Sequence, residues 1–146
     1  GIEEHKRWKN DIHVAGGAHP GFPIIADDGL HVSKAFDMLP HEAYLPENAS
    51  ANDTATVRSV YIIGPDKKLK LSMTYPMNVG RNFAEVLRAL DALQTANGKG
   101  VATPADWTVG DDVIIPLAHD DKAAREKFGD FNAVLPYLRY AKMPKD

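Results

Sequence analysis

The sequence predicts an α/β fold in which helices pack against a mixed sheet. Two observations carry this prediction. Segments with apolar side chains at helical spacing alternate along the chain with short apolar runs of strand length, and their order is helix, strand, helix, strand, hairpin strand, helix. The 146 residues, 44% of them hydrophobic, are enough for one good core and a small appendage.

The first forty residues predict two helices and one strand. Residues 2–12 place two large apolar side chains four positions apart and acidic side chains in the first turn, which favours a short helix. After a stretch broken by glycine and proline, the apolar run of residues 22–26 predicts a strand. Asp28 is the predicted N-cap of a helix over residues 30–38, and a proline-containing polar loop is expected over residues 40–54.

The middle of the chain predicts a β-hairpin followed by a helix. Residues 57–63 are largely apolar on both faces, which predicts a central strand, with Arg58 on the same face as Val60 and Ile62. Residues 64–68 have turn composition, and residues 69–75 alternate as a half-exposed strand does. Asn82, with Glu85 three positions later, predicts a capping box for an apolar-striped helix that ends near residues 97–98.

The pattern changes at about residue 101. Prolines interrupt short apolar runs, and one amphipathic patch occupies residues 123–128. We predict a first domain over residues 1–100 and a small irregular C-terminal subdomain over residues 101–146. Three credible strands are too few for a complete fold of this class, because a sheet edge would expose apolar and unpaired backbone groups. We therefore expect the chain to be truncated.

Charge and composition exclude several classes of partner. The formal net charge is −3 and the Lys and Arg residues are dispersed, so we expect no nucleic-acid partner. The longest apolar runs are far shorter than the roughly 20 residues of a membrane-spanning helix, so no transmembrane segment is predicted. The six histidines lack the spacing of a zinc site, and we predict neither a metal nor a cofactor.

Several short segments occur in the order and spacing of a known family. They are TVRSV at residues 56–60, GPDKK at 64–68, YP at 75–76, GRNF at 80–83 and VATPADW at 101–107. Through them the sequence resembles the 1-Cys peroxiredoxins over nearly its whole length. The resemblance implies a thioredoxin-like fold, incomplete at the N-terminus, that carries the small C-terminal subdomain of the 1-Cys group.

The resemblance also implies a chemistry. Family members are thiol-dependent peroxidases that reduce hydrogen peroxide and alkyl hydroperoxides through a cysteine sulfenic acid, are recycled by an external thiol reductant and form homodimers. We expect a cytoplasmic location. The family motif Pro-x-x-x-Thr-x-x-Cys is absent, however, and this chain contains no cysteine. The chain is therefore either part of such an enzyme or a non-catalytic fragment that acts as an oligomerisation or interaction module.

Two arginines of this chain match arginines near the family's active site. The resemblance implies that Arg58 favours the ionised thiol and stabilises the charge on the leaving oxygen, and that Arg81 orients Arg58 and an acidic residue. From the residues alone, Arg58 could also form a structural ion pair or mark a strand end at solvent, and Arg81 could be a solvated loop charge. Asp66 either serves its turn as a backbone acceptor or matches the aspartate of a Ser-His-Asp set in family members described as phospholipases.

Overall fold

The computed structural model describes residues 1–40 and 55–143 of the chain, which fall into two compact units. The first unit comprises Gly1–Val60 and Met73–Val79, and the second comprises Tyr61–Ser72 and Gly80–Asp146. All but the first residue of the predicted loop at 40–54 lies outside the described residues. Within the described part of the chain, no helix is both long enough and apolar enough to cross a membrane.

Two helices in the described part of the chain belong to the first unit. The helix α1 spans Ile2–Gly16, so the predicted helix is confirmed and extends four residues further. It ends at Gly17, whose left-handed backbone (φ 74°) lets its N–H reach the carbonyl of His13, as is usual for a glycine after a helix. The predicted strand at residues 22–26 is wrong, because these residues form no regular structure. A short apolar run alone does not distinguish a strand from an irregular segment.

The second helix, α2 (His31–Ala35), begins differently from the prediction. Asp27, and not Asp28, accepts hydrogen bonds from the backbone N–H groups of Val32 (3.0 Å) and Ser33 (2.7 Å). A turn explains the shift, because the N–H of Leu30 donates to the carbonyl of Asp27 at 2.9 Å and Leu30 is left-handed (φ 55°). The turn brings the earlier carboxylate beside the first helical amides. The helix is also shorter than predicted.

The predicted hairpin is confirmed. Strand β1 (Arg58–Ile63) pairs with β2 (Leu69–Tyr75) in a two-stranded sheet, and the turn is closed by N–H donation from Gly64 to Lys68 O at 2.9 Å. Polar and apolar side chains alternate in β2 as predicted, with the polar positions exposed. Among the described residues β1 has one strand neighbour, and its apolar side chains are at most half-buried, so the central position predicted for β1 stays a prediction.

The long helix α3 (Phe83–Lys99) confirms the strongest periodic pattern in the sequence. Asn82 caps it by accepting the N–H of Glu85 at 3.2 Å. It ends at Gly100, a left-handed residue (φ 62°), where Lys127 Nζ donates to the carbonyl of Lys99 at 2.9 Å. The helix therefore runs slightly beyond its predicted end, because Gly100 and not Gly98 supplies the left-handed cap.

The C-terminal region is more regular than predicted. Strands β3 (Val113–Ile114), β4 (Phe131–Leu135) and β5 (Leu138–Ala141) form an antiparallel sheet in the order β3-β5-β4. Helix α4 (Asp121–Phe128) precedes β4 and contains the predicted amphipathic patch. The expectation of an irregular subdomain is therefore wrong. Strands of two to five residues are too short to show a period of two in sequence.

One hydrophobic core lies in the second unit. It joins the middle of α3 to α4 and to strands β3 and β5, and Trp107 at its centre is only 1% exposed. Its buried members are Ala92, Val101, Trp107, Val113, Ile115, Ala124, Phe128 and Ala141. The predicted domain boundary at residue 100 stays a prediction.

Candidate functional site

Arg58 is the first residue of β1, where the hairpin opens. Its side chain is exposed, and its Nε donates a hydrogen bond of 2.6 Å to the carbonyl of Met77, just beyond β2. Beside it, the hydroxyls of Ser59 and Thr74 share a hydrogen bond of 3.0 Å across the two strands. Arg58 is exposed at the first position of the strand, which agrees with the alternative that it marks a strand end at solvent.

The charge of Arg58 is not neutralised within the described part of the chain. No carboxylate from residues 1–40 or 55–143 forms an ion pair with its guanidinium, so the alternative of a structural ion pair gains no support there. An exposed, permanently charged guanidinium held by one backbone bond can attract an anion. The role that the resemblance implies for Arg58 stays a prediction.

Arg81 lies one residue before the Asn82 cap of α3. Its side chain is half-buried, and it makes no hydrogen bond or ion pair with the residues that the structure describes. Arg58 belongs to the first unit and Arg81 to the second. The expected orientation of Arg58 by Arg81 stays a prediction.

Asp66 serves the hairpin turn. One carboxylate oxygen accepts the N–H of Lys68 at 3.2 Å, and the other accepts the ammonium of Lys70 at 2.8 Å. The hydrogen bond from Lys70 is the main reason that the pKa of Asp66 lies below its ordinary value. The backbone-acceptor alternative for Asp66 is therefore confirmed.

A charged network in the second unit was not predicted from the sequence. Arg88 binds the carboxylate of Glu85 through two hydrogen bonds, Nε at 2.6 Å and Nη2 at 2.8 Å, and its Nη1 donates to the carbonyl of Trp107 at 3.1 Å. The pairing lowers the pKa of Glu85 and raises that of Arg88. The three-residue spacing of Glu85 and Arg88 on a helix is a signal that could have found the pair.

A buried arginine was also missed. Arg139 is 4% exposed, and it donates to Asp121 Oδ1 (2.9 Å) and to the carbonyls of Pro116 (3.2 Å) and His119 (2.7 Å). It therefore ties β5 to the start of α4 and to the loop before it. The alternation of side chains in a four-residue strand could not show that Arg139 is buried.

The grooves and the histidines among the described residues give weaker indications of a functional site. A groove of about 580 Å³ in the second unit is lined mainly by apolar side chains and includes neither arginine. Its lining residues are Ile62, Ile63, Gly64, Pro65, Lys70, Leu90, Leu93, Gln94 and Asn97. His13 and His19 stack with ring centroids 3.7 Å apart, but no cluster of three potential metal ligands occurs among the residues described.

Comparison with known sequences gives a consistent result. The family described as the C-terminal domain of 1-Cys peroxiredoxin matches residues 92–130. A mitochondrial peroxiredoxin of Saccharomyces cerevisiae is 45% identical over 142 residues, covering 97% of this chain and 54% of the relative. Peroxiredoxin-6 of Gallus gallus is 40% identical over 154 residues, covering 99% of this chain and 67% of the relative. The chain thus spans between about half and two thirds of the length of these relatives.

Solved structures agree with the sequences. A mutant of peroxiredoxin 6 from Arenicola marina superposes with a TM-score of 0.87 at 37% identity, covering 100% of this chain and 68% of the other. A yeast mitochondrial 1-Cys peroxiredoxin, described with a thiol resolving mechanism through glutathione and thioredoxin systems, gives a TM-score of 0.86 at 43% identity and covers 97% and 66%. The predicted thioredoxin-like α/β fold is therefore confirmed.

Proposed function

This chain belongs to the 1-Cys peroxiredoxin family, and from that membership we propose that it is part of a thiol-dependent peroxidase. The substrates would be hydrogen peroxide and alkyl hydroperoxides. The reacting cysteine is not among the 146 residues of this chain and would come from another part of the protein. The observation that carries the proposal is Arg58, an exposed cation without a carboxylate partner in the described part of the chain.

The proposed reaction has two stages. A cysteine thiolate attacks one oxygen of the hydroperoxide, the O–O bond breaks, and the second oxygen leaves as hydroxide or alkoxide and takes up a proton to become water or an alcohol. The cysteine is oxidised to a sulfenic acid. Two equivalents of an external thiol then reduce the sulfenic acid to the thiol, releasing water and a disulfide of the reductant.

Arg58 would contribute to the first stage in two ways. A nearby guanidinium favours the thiolate over the thiol, and the thiolate is the nucleophile. The same guanidinium would stabilise the negative charge that develops on the leaving oxygen, because that oxygen takes up its proton only after the O–O bond has broken. Arg81 would act as a positioning residue for Arg58.

The remaining partners follow from the relatives. We propose that an external thiol of the glutathione or thioredoxin type is the reductant, because thiol resolution through these two systems is described for the yeast relative. We propose a cytoplasmic location, although a relative is mitochondrial, and cell fractionation would decide between the two compartments.

We also propose that the protein forms a homodimer through the C-terminal region. Apolar side chains of the β4–β5 hairpin are exposed, with Val134 at 56% and Tyr137 at 63%. Burial of this surface against a second copy would remove apolar area from water. Sedimentation of the chain and of a Tyr137→Glu variant tests the proposal: we expect a dimer that dissociates in the variant, and a monomer at all concentrations would contradict it.

The peroxidase proposal is tested with a chimera. The cysteine-bearing portion of the yeast relative is joined ahead of Gly1, and peroxide consumption is followed with a thioredoxin or glutathione system. We expect Arg58→Ala to lower kcat/KM by about 100-fold or more, the usual cost of removing one preorganised charge-stabilising donor. Arg81→Ala should lower it less, because Arg81 would act through Arg58.

Two controls define the outcome of this assay. Arg7→Ala removes an exposed arginine of α1, which has no proposed role, and should leave kcat/KM unchanged. A chimera that is folded but inactive, or one in which Arg58→Ala and Arg7→Ala behave alike, would contradict the proposal.

A second function is favoured by a different observation. The core of the second unit is assembled from residues 92–141 and contains nearly inaccessible side chains, so this part of the chain has what a folded non-catalytic module needs. The alternative is therefore an oligomerisation or interaction module. It requires that the mature protein consist of this chain alone and bind its partner without any peroxidase activity.

A further inference from the structure

The hairpin mouth, defined here as Arg58, Ser59, Thr74 and Met77, holds the candidate arginine in a specific way. The Nε of Arg58 donates to the carbonyl of Met77 at 2.6 Å. The Ser59–Thr74 hydroxyl bond of 3.0 Å joins the two strands one residue further into the hairpin. All four residues belong to the first unit.

A guanidinium can bind an anion through either of two edges. One edge pairs Nε–H with an Nη–H, and the other, at the end of the side chain, pairs Nη1–H with Nη2–H. The bond to Met77 occupies Nε, so the first edge is not free for a bidentate anion. Neither Nη group donates a hydrogen bond to a residue that the structure describes, which leaves the end edge unoccupied by them.

The acceptor itself is fixed by a tight turn. The N–H of Val79 donates to the carbonyl of Pro76 at 3.0 Å, which closes the turn that contains Met77. The ring of Pro76 restricts its φ to about −65°, so the turn has fewer alternative conformations than the same sequence without proline. The carbonyl of Met77 is therefore presented at a defined position next to the start of β1.

We propose that the Pro76–Val79 turn is a positioning element that selects the end edge of Arg58 for anion binding. The carbonyl of Met77 holds Nε and keeps Nη1 and Nη2 available for one anionic atom or group. The identification of the anion as a thiolate or a leaving peroxide oxygen rests on the proposed function. The orientation of the Arg58 side chain does not depend on that function, so it can be tested without turnover.

The first experiment compares two arginines of the chain by NMR. The solvent exchange of Arg58 Nε–H is measured against that of Arg7, which is exposed on α1 and makes no side-chain hydrogen bond with a described residue. We expect Arg58 to exchange about tenfold more slowly, because a protein hydrogen bond of ordinary net strength shifts an equilibrium by about that factor. Equal exchange rates would overturn the proposal whatever the peroxidase assay shows.

Two substitutions in the turn separate the backbone from the side chain. Pro76→Gly should loosen the turn and bring Arg58 exchange close to that of Arg7, while the amide spectrum of the hairpin stays dispersed. Met77→Ala keeps the acceptor carbonyl and removes only a half-exposed side chain, so Arg58 exchange should not change. Slow exchange in Pro76→Gly, or fast exchange in Met77→Ala, would show that the turn does not position Arg58.

Inorganic phosphate serves as the anionic probe. We expect added phosphate to shift the Nη resonances of Arg58 while its Nε–H stays slow in exchange. An Nε–H that becomes fast on addition of phosphate would mean that the anion displaces Met77. Absence of any response at the Nη groups would mean that the end edge binds no anion, and either result overturns the assignment.

Discussion

The two units of this chain bury their side chains to very different extents. In the first unit, Ser33 and Leu39 are the buried residues among those described, and α1 buries none of its fifteen residues. In the second unit, eight buried hydrophobic residues form one cluster around Trp107. The sequence is similarly apolar in both, so apolar content alone does not determine which part of the chain builds a core.

The difference lies in what each element can pack against. Within the second unit, α3, α4 and the three-stranded sheet present apolar faces to one another, and Arg139 and Arg88 satisfy backbone carbonyls at the edges of the core. In the first unit, large apolar side chains such as Trp8, Phe22 and Ile25 are more than half exposed. We infer that local stability is concentrated in the second unit.

Replacing one tryptophan in each unit gives the largest expected contrast. Trp107→Ala should lower the free energy of unfolding by about 3–5 kcal/mol, because it leaves a cavity in the core. Trp8→Ala, the matched control, removes a side chain that is 53% exposed and should cost less than about 1 kcal/mol. Urea denaturation followed by circular dichroism measures both values, and similar losses would contradict the contrast between the units.

Removing one arginine from the core edge should have a smaller effect. Arg139→Ala leaves the carbonyls of Pro116 and His119 without their charged donor and should cost about 2–3 kcal/mol. Arg125→Ala is the control on α4, because its side chain is 62% exposed and lies 3.7 Å from Asp130; it should cost less than about 1 kcal/mol. Thermal or chemical denaturation would refute the buried role of Arg139 if the two variants were equally stable.

The smallest expected effect is local: lowering the pH should destabilise the first turn of α2. The hydroxyl and backbone N–H of Ser33 hold the pKa of Asp27 below its ordinary value, since both donate to the ionised carboxylate. The stabilisation is therefore complete above the ordinary pKa of an aspartate and disappears as pH falls through the lowered value. The protection of the Val32 and Ser33 amides, measured as exchange relative to the intrinsic rate at each pH, should fall over that interval, and Asp27→Asn should remove this pH dependence. Unchanged protection over the same interval would show that the carboxylate does not stabilise the helix.

The elements that could be predicted from the sequence are those in which a periodic apolar pattern continues over many residues or in which a turn has a distinctive composition. Helix α3 has seventeen residues and a continuous apolar stripe, and the hairpin has the turn composition of residues 64–68. The three C-terminal strands were missed because each has only two to five residues, and because β3 pairs with β5, a segment distant in sequence. The strand predicted at residues 22–26 was wrong for a different reason. A short apolar run favoured a strand there, but these residues form no regular structure.

The candidate site was less accessible to sequence reasoning than the fold. Arg58 was identified through the segment 56–60 and not through its pattern. The alternation of the strand could not show that Arg58 is exposed, because a period of two says nothing about whether a strand end is covered. The acceptor that holds Arg58 is a backbone carbonyl nineteen residues away. A backbone group carries no residue-type signal, so only the structure could reveal the contact.

The measurement that tests the central claim most directly is the intact mass of the protein isolated from its source, with N-terminal sequencing and a sulfenic-acid trap added after exposure to hydroperoxide. We predict a polypeptide substantially larger than the 16.0 kDa of this chain, with one cysteine that captures the trap. A mature protein of 16.0 kDa that begins at Gly1 would contradict the assignment to a peroxidase and favour the interaction module.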